Sequence, residues 1–139
     1  MAGVEARFVG PWRITSMEQW DREYMDLVAP AHITFAQGGR GEFQFGTVRG
    51  SLDCRFEERD GTARVDFSWE GDSEGDPACG RGWAEVRPGG ALEGCLYFHM
   101  GDVSVFTARR RRTSAAPRKP PEEEPLVYWT SRPRKRNKC

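Results

Sequence analysis

Lysine is missing from the first 108 residues of this 139-residue chain, histidine occurs only as His32 and His99, and no two of the four cysteines lie closer than 16 positions. Each scarcity excludes something. Cys54, Cys79, Cys95 and Cys139 lack the short spacing that lets one loop clamp zinc, and neither histidine falls near a cysteine pair, so no metal and no cofactor is expected. No apolar run approaches the roughly 20 residues that cross a bilayer as a helix, and the opening Met-Ala-Gly-Val-Glu-Ala-Arg lacks the apolar stretch of a secretory signal. The expectation is a cytoplasmic protein with no membrane partner, whose thiols stay reduced and serve as small packing residues. The 16 glycines form no loop between a strand and a helix of the kind that cradles phosphate, and no Gly-x-Ser-x-Gly elbow or Cys–His pair supplies a nucleophile.

What is present is an asymmetry of charge. Through Ala108 there are ten arginines against 18 acids, a balance of −8; from Arg109 to Cys139, 11 basic residues face three glutamates, a balance of +8. An acidic body therefore carries a basic tail. The tail is rich in proline and like charge and poor in apolar groups, which cannot offset the entropy of ordering. The expected organisation is a domain over 1–110 and a disordered, basic, Pro-rich tail over 111–139, with Leu126-Val127-Tyr128-Trp129 as its one apolar island. Nucleic acid is an expected partner only through that tail.

The body alternates with period two. Val65, Phe67 and Trp69 face one way and Asp66, Ser68 and Glu70 the other; Leu52 to Glu57 and Glu42 to Phe45 repeat the pattern. The phase slips near Gly46, which suggests a bulge or bend. Turn signals at Gly38-Gly39, Asp60-Gly61 and Pro88-Gly89-Gly90 separate about eight strands, near 11–16, 32–37, 42–49, 51–58, 63–70, 81–87, 92–99 and 103–109. One segment has helical spacing: apolar Trp20, Tyr24, Leu27 and Val28 over 18–28, ended by Pro30, predict a short helix that caps one mouth. The fold class is all-β with one short helix, an up-and-down antiparallel β-barrel or strongly curled sheet of about eight strands.

Gly10-Pro11-Trp12 on the first strand resembles the opening of the calycin barrels, the lipocalins and their fatty-acid-binding relatives. That resemblance implies a tryptophan closing one end under a basic side chain from the last strand, here Arg109 or Arg110. The run Trp69 to Trp83, with Trp12-Arg13-Ile14, Met17-Glu18, Trp20-Asp21 and His99 to Phe106, is similar to an uncharacterised family of small bacterial proteins. This second resemblance implies a real domain and no particular chemistry; the tail after Arg109 does not look like part of it.

Candidate chemistry gathers around Arg81, set between Gly80 and Gly82 after an acidic stretch. Small neighbours let a ligand approach the planar guanidinium, which suits carboxylate or phosphate. His99 is expected alongside residues 81–83, with Asp102 and Glu70 holding these donors; Arg55 and Asp53 join the set if the polar strand faces line a cavity. The competing structural reading has Arg81 paired with Glu70 or Asp76. Carboxylates at 70, 72, 74 and 76 suggest a calcium loop but lack EF-hand spacing. The functional expectation is a non-catalytic binding or interaction module for a small anionic ligand or a protein partner. The alternative is a small enzyme of isomerase or hydrolase type, using His99 and nearby carboxylates.

Overall fold

Alternation becomes wall and core. The computed structural model describes residues 3–111, and the expectation of a disordered tail falls on residues outside them. Eight strands run in order: β1 (Gly10–Met17), β2 (His32–Ala36), β3 (Arg40–Phe45), β4 (Val48–Arg59), β5 (Thr62–Ser73), β6 (Asp76–Val86), β7 (Leu92–Phe98) and β8 (Val103–Arg110). Each pairs antiparallel with the next, and β8 returns to β1, so the sheet is a closed barrel rather than a curled open one. Closure leaves no unpaired edge.

Val65, Phe67 and Trp69 point inward and are buried, as their alternation requires. Their partners across the sheet are large on one side and small on the other. Leu52, Cys54 and Phe56 of β4 oppose Trp69, Phe67 and Val65, whereas β6 offers Gly80, Gly82 and Ala84. An eight-stranded barrel has room inside for side chains and little else, so small residues on one strand make space for rings from the next. Trp69 meets Phe43 edge-on at 5.0 Å and Phe98 at 5.1 Å between centroids, and its Nε1 donates to the Tyr97 carbonyl at 3.2 Å. The interior is filled by aromatic rings. Asp53, Arg55, Glu70 and Arg81, at the opposite parity, stand exposed on the outer wall, which corrects the alternative in which they line an internal cavity.

Two short helices cover the ends. α1 (Val4–Phe8) has no counterpart in the sequence reading, because five residues are too few to show a helical period. It delivers Phe8, fully buried against Phe35 and Phe56 with centroids 5.6 and 5.5 Å away. Trp12 Nε1 donates to the Phe8 carbonyl at 2.9 Å. The Arg110 guanidinium lies 4.2 Å above the Trp12 ring and donates to the carbonyls of Arg7 and Val9. Of the two basic residues expected over Trp12, Arg110 is the one.

At the other mouth the expected helix over 18–28 shrinks to α2 (Arg22–Met25), N-capped by the Asp21 carboxylate accepting from Tyr24 N. Three competing bonds explain the loss. Glu18 N donates to the Val105 carbonyl at 2.9 Å, and Asp26 accepts from both Ala31 N and Arg13 at 2.9 Å, turning the chain away at the helix end. Leu27 and Val28, expected on the buried face, are 61% and 59% exposed, while Met25 is buried instead. Trp20 and Tyr24 do cover the mouth: Trp20 packs 4.8 Å from Phe45, and Tyr24 shares a hydrogen bond with Thr47 Oγ1.

The phase slip near Gly46 is a hairpin turn and not a bulge. Phe45 pairs with Val48 across Gly46-Thr47, so Val48 and Arg49 open β4 instead of ending β3. Gly46 has φ +58°, and a Cβ there would collide with the Tyr24 ring. Both demands select glycine. The sheet's register shift lies elsewhere, in β1 between Ile14 and Ser16. The acidic stretch 70–76 is likewise a hairpin: β5 continues to Ser73, which pairs with Asp76. Among the described residues no three histidine, cysteine or acidic side chains converge to hold a metal.

Cys54 and Cys95 are free and buried, and burial pushes the Cys54 thiol up to about 12, so it packs and does not react. Cys79 is disulfide-bonded, which corrects the expectation of reduced thiols at that position.

His32, on the outer side of β2, sits between two acceptors: the Pro30 carbonyl at 3.1 Å from Nδ1 and the Glu42 carboxylate at 3.7 Å from Nε2. The Glu42 carboxylate facing Nε2 leads in raising the histidine above its ordinary value, and the same pairing holds Glu42 below its own. The stability from His32 is complete below its ordinary value of about 6.5 and is lost as pH rises through the raised one. That from Glu42 is present above the ordinary carboxylate range and is lost as pH falls through the lowered value. The melting temperature is therefore expected to fall as pH rises above about 6.5, and His32→Asn to flatten that slope; equal slopes in the two proteins would contradict the pairing.

Candidate functional site

With the interior filled, binding chemistry falls to the outer wall. An open groove of about 980 Å³ runs over β4 to β7; its lining includes the outward Asp53, Glu70, Arg81, Trp83, Tyr97 and His99, with Leu52, Trp69 and Phe98 of the core at its floor. The strand register explains the grouping. Arg81 stands between Ser68 of β5 and Tyr97 of β7, and Trp83 between Asp66 and Cys95. His99 lies one residue past β7, where its backbone N donates to the Cys79 carbonyl at 2.8 Å. The expected proximity of His99 to Arg81 is thus present, through adjacent strands.

Of the sequence-selected set, the groove brings together Arg81, His99, Glu70 and Asp53. Arg55 does not line it; the guanidinium reaches back to Asp53 at 3.5 Å on the exposed surface. Asp102 also lies outside it, in the β7–β8 turn, where its carbonyl accepts from Phe98 N. The expected role of Glu70 and Asp102 in holding the donors has no bond to support it: among the described residues neither carboxylate pairs with Arg81 or His99. Nor does Arg81 close the acidic hairpin, since Glu70 faces Cys79 across the strands and Asp76 faces Ser73. Its guanidinium is exposed and carries no ion pair with any described residue, while Arg64, Arg87, Arg55 and Arg59 are all paired with acids.

Arg64 shapes the groove's other end. It bonds Asp66 and Glu85 at 3.1 Å and lies 4.6 Å above the Trp83 ring, so those two carboxylates are neutralised locally. These pairs are partly covered, and they hold the guanidinium over the indole against the wall. Beside Arg81 the wall also carries exposed apolar groups. Tyr97 is 40% exposed, and its neighbours across β8, Val103 and Val105, are 45% and 49% exposed. The register aligns them in two rows across three strands, Arg81–Tyr97–Val103 and Trp83–Cys95–Val105.

Sequence reasoning missed Trp83, Tyr97, Val103 and Val105 as site residues. Their signal was available. Cys95-Leu96-Tyr97-Phe98 and Val103-Ser104-Val105-Phe106 do not alternate apolar with charged residues as the other strands do. A strand with apolar groups on both faces expects cover on both faces. In β7 and β8 the inner face has it, through Leu96, Ser104 and Phe106, and the outer face is open.

The site can therefore hold one anionic group at a planar guanidinium and an apolar or aromatic body on the adjoining wall. Ser104 points inward, fully buried, accepting from Gln19 N, and takes no part in the groove. The His99 ring makes no hydrogen bond with a carboxylate among the described residues. The chain matches no protein-family model and no curated protein.

Proposed function

We propose that this protein is a non-catalytic binding module on a calycin-like barrel, which holds its ligand on the outer wall instead of in the interior. The ligand pairs one carboxylate or phosphate with an apolar or aromatic body. The observation that carries this reading is the exposed guanidinium of Arg81, without an ion pair among the described residues, beside the exposed apolar groups of Tyr97, Val103 and Val105. Trp12 beneath Arg110 supports the calycin-like part.

The magnitudes set the affinity to expect. An exposed charge pair contributes up to about 1 kcal/mol. About 150 Å² of apolar contact adds roughly 4 kcal/mol at 25 cal/mol per Å², before the cost of association. That gross sum corresponds to a millimolar dissociation constant, which is therefore the tightest binding to expect of a small aromatic acid. Indole-3-propionate at several millimolar is expected to raise the melting temperature of the wild-type protein. It should do so distinctly less for Arg81→Ala, whose own melting temperature should match wild type because Arg81 has no ion pair with a described residue to lose. Absence of stabilisation in wild type, or equal stabilisation of both proteins, would overturn the reading.

A further inference from the structure

We propose that the outer-wall site takes a zwitterion: an aromatic α-amino acid whose carboxylate pairs with Arg81 and whose ammonium pairs with Glu70. The inference rests on the outer-wall reading above and narrows the ligand class of that same site.

Three observations converge on this ligand. The first is what the groove leaves unused. Asp53, Asp66 and Glu70 line it beside the Arg81 guanidinium. Asp66 is held by Arg64 at 3.1 Å, and Asp53 faces Arg55 at 3.5 Å. Glu70 is exposed and, like Arg81, makes no ion pair among the described residues. The second is register. Ser68 of β5 is the direct partner of Arg81 on β6, and Glu70 follows Ser68 by two residues on the same outer face. Glu70 is therefore a diagonal neighbour of Arg81, about 7–8 Å away along the backbones and within reach of long side chains. Tyr97 lies on the other side of Arg81, one strand step of about 4.8 Å away, with Val103 a step beyond. From β5 to β8 the wall thus presents a carboxylate, a guanidinium, a phenol ring and an apolar group. An ammonium, a carboxylate and an aromatic side chain on one α-carbon are the complement of that order.

The third is the field around the groove. Through Ala108 ten arginines stand against 18 acids, a balance of −8. A purely anionic ligand is repelled by that field and by Glu70 itself. A zwitterion carries no net charge, and its ammonium turns Glu70 from a cost into a contact. Because the contact is open to solvent, the ammonium is expected to tighten binding only about three-fold.

The test titrates the 15N-labelled full-length protein with L-tryptophan and with indole-3-propionate, which differ only in the α-ammonium group. Tryptophan is expected to bind about three-fold more tightly, and to move the backbone amides of Ser68 and Glu70 together with those of Arg81 and Tyr97. Glu70→Gln keeps the shape and removes the charge, and should bring the two ligands to equal affinity. Asp53→Asn removes the same charge from the same groove and should leave the ratio in place. Arg81→Ala should weaken both ligands. Equal binding of the two ligands to wild type, with wall amides moving in both titrations, overturns the zwitterion and leaves the outer-wall reading standing. A ratio that survives Glu70→Gln, or that Asp53→Asn abolishes as fully, overturns the pairing with Glu70. If neither ligand moves a wall amide, the outer-wall reading fails and this proposal fails with it.

Discussion

Replacing Trp69 by alanine is expected to lower the unfolding free energy by about 3–5 kcal/mol and the melting temperature by roughly 15–25 °C, the largest single effect in the barrel. The indole is buried, touches Phe43 and Phe98 edge-on, and donates to the Tyr97 carbonyl. Removal leaves a cavity that the stiff surrounding wall cannot close, and it orphans no charged group, so the cavity dominates. Trp69→Phe keeps most of the volume and loses the hydrogen bond. It should cost distinctly less, which separates packing from bonding. Thermal unfolding checks both, and a near-neutral Trp69→Ala would mean that the wall faces the other way.

The second large effect comes from adding atoms. A Cβ at Gly82 would sit 2.6 Å from the Phe67 ring and 2.7 Å from the Cys95 carbonyl oxygen. The ring is held inside the barrel and the carbonyl belongs to the paired β7 backbone, so neither can yield cheaply. Two effects oppose each other in Gly82→Ala. Loss of glycine's unfolded-state freedom favours alanine by about 0.4–1 kcal/mol. Overpacking a filled core costs about 1–3 kcal/mol and wins. Gly82→Val should be worse, although valine is the better strand former, because the extra methyls enter the same space. Denaturant unfolding that shows either variant as stable as wild type would contradict the tight approach of β5, β6 and β7 at this point.

These two positions also show what was legible in the sequence. Trp69 declares itself through strict alternation with Ser68 and Glu70, and the outward parity of Glu70 follows at once. Gly82 does not declare its reason. In the sequence it flanks Arg81 and reads as room for a ligand; in the barrel it makes room for Phe67 on the inner side. The two readings concern opposite faces of one strand, and a period-two pattern cannot say which face needs the space. Gly46 misled for a related reason: a bulge and a two-residue turn both break phase, and only pairing distinguishes them. The helix over 18–28 had the right spacing but lost its ends to Glu18 and Asp26. Their partners, Val105, Ala31 and Arg13, lie on β1 and β8 or just before β2, beyond the reach of local propensity.

The site was half legible. Arg81 stood out by its glycine neighbours, and His99 by the hairpin that returns β7 beside β6. Asp102 and Arg55 were selected by charge alone, and the closed sheet places one in a turn and the other against Asp53. The apolar rows escaped notice because Tyr97, Val103 and Val105 look like ordinary core residues until the wall is closed and the interior is found full. An amphipathic pattern marks a strand that is satisfied. A strand that is apolar on both faces marks one that is waiting for something, and β7 and β8 are such strands.

Methyl resonances separate the proposed binding on the outer wall cleanly from binding in the interior. Val103 and Val105 carry methyl groups outside, while Ile33, Val65 and Leu92 carry theirs in the buried core. Titration of the full-length, methyl-labelled protein with indole-3-propionate should shift Val103 and Val105 and leave Ile33, Val65 and Leu92 where they are. Shifts at Ile33, Val65 and Leu92 with Val103 and Val105 unmoved would contradict it.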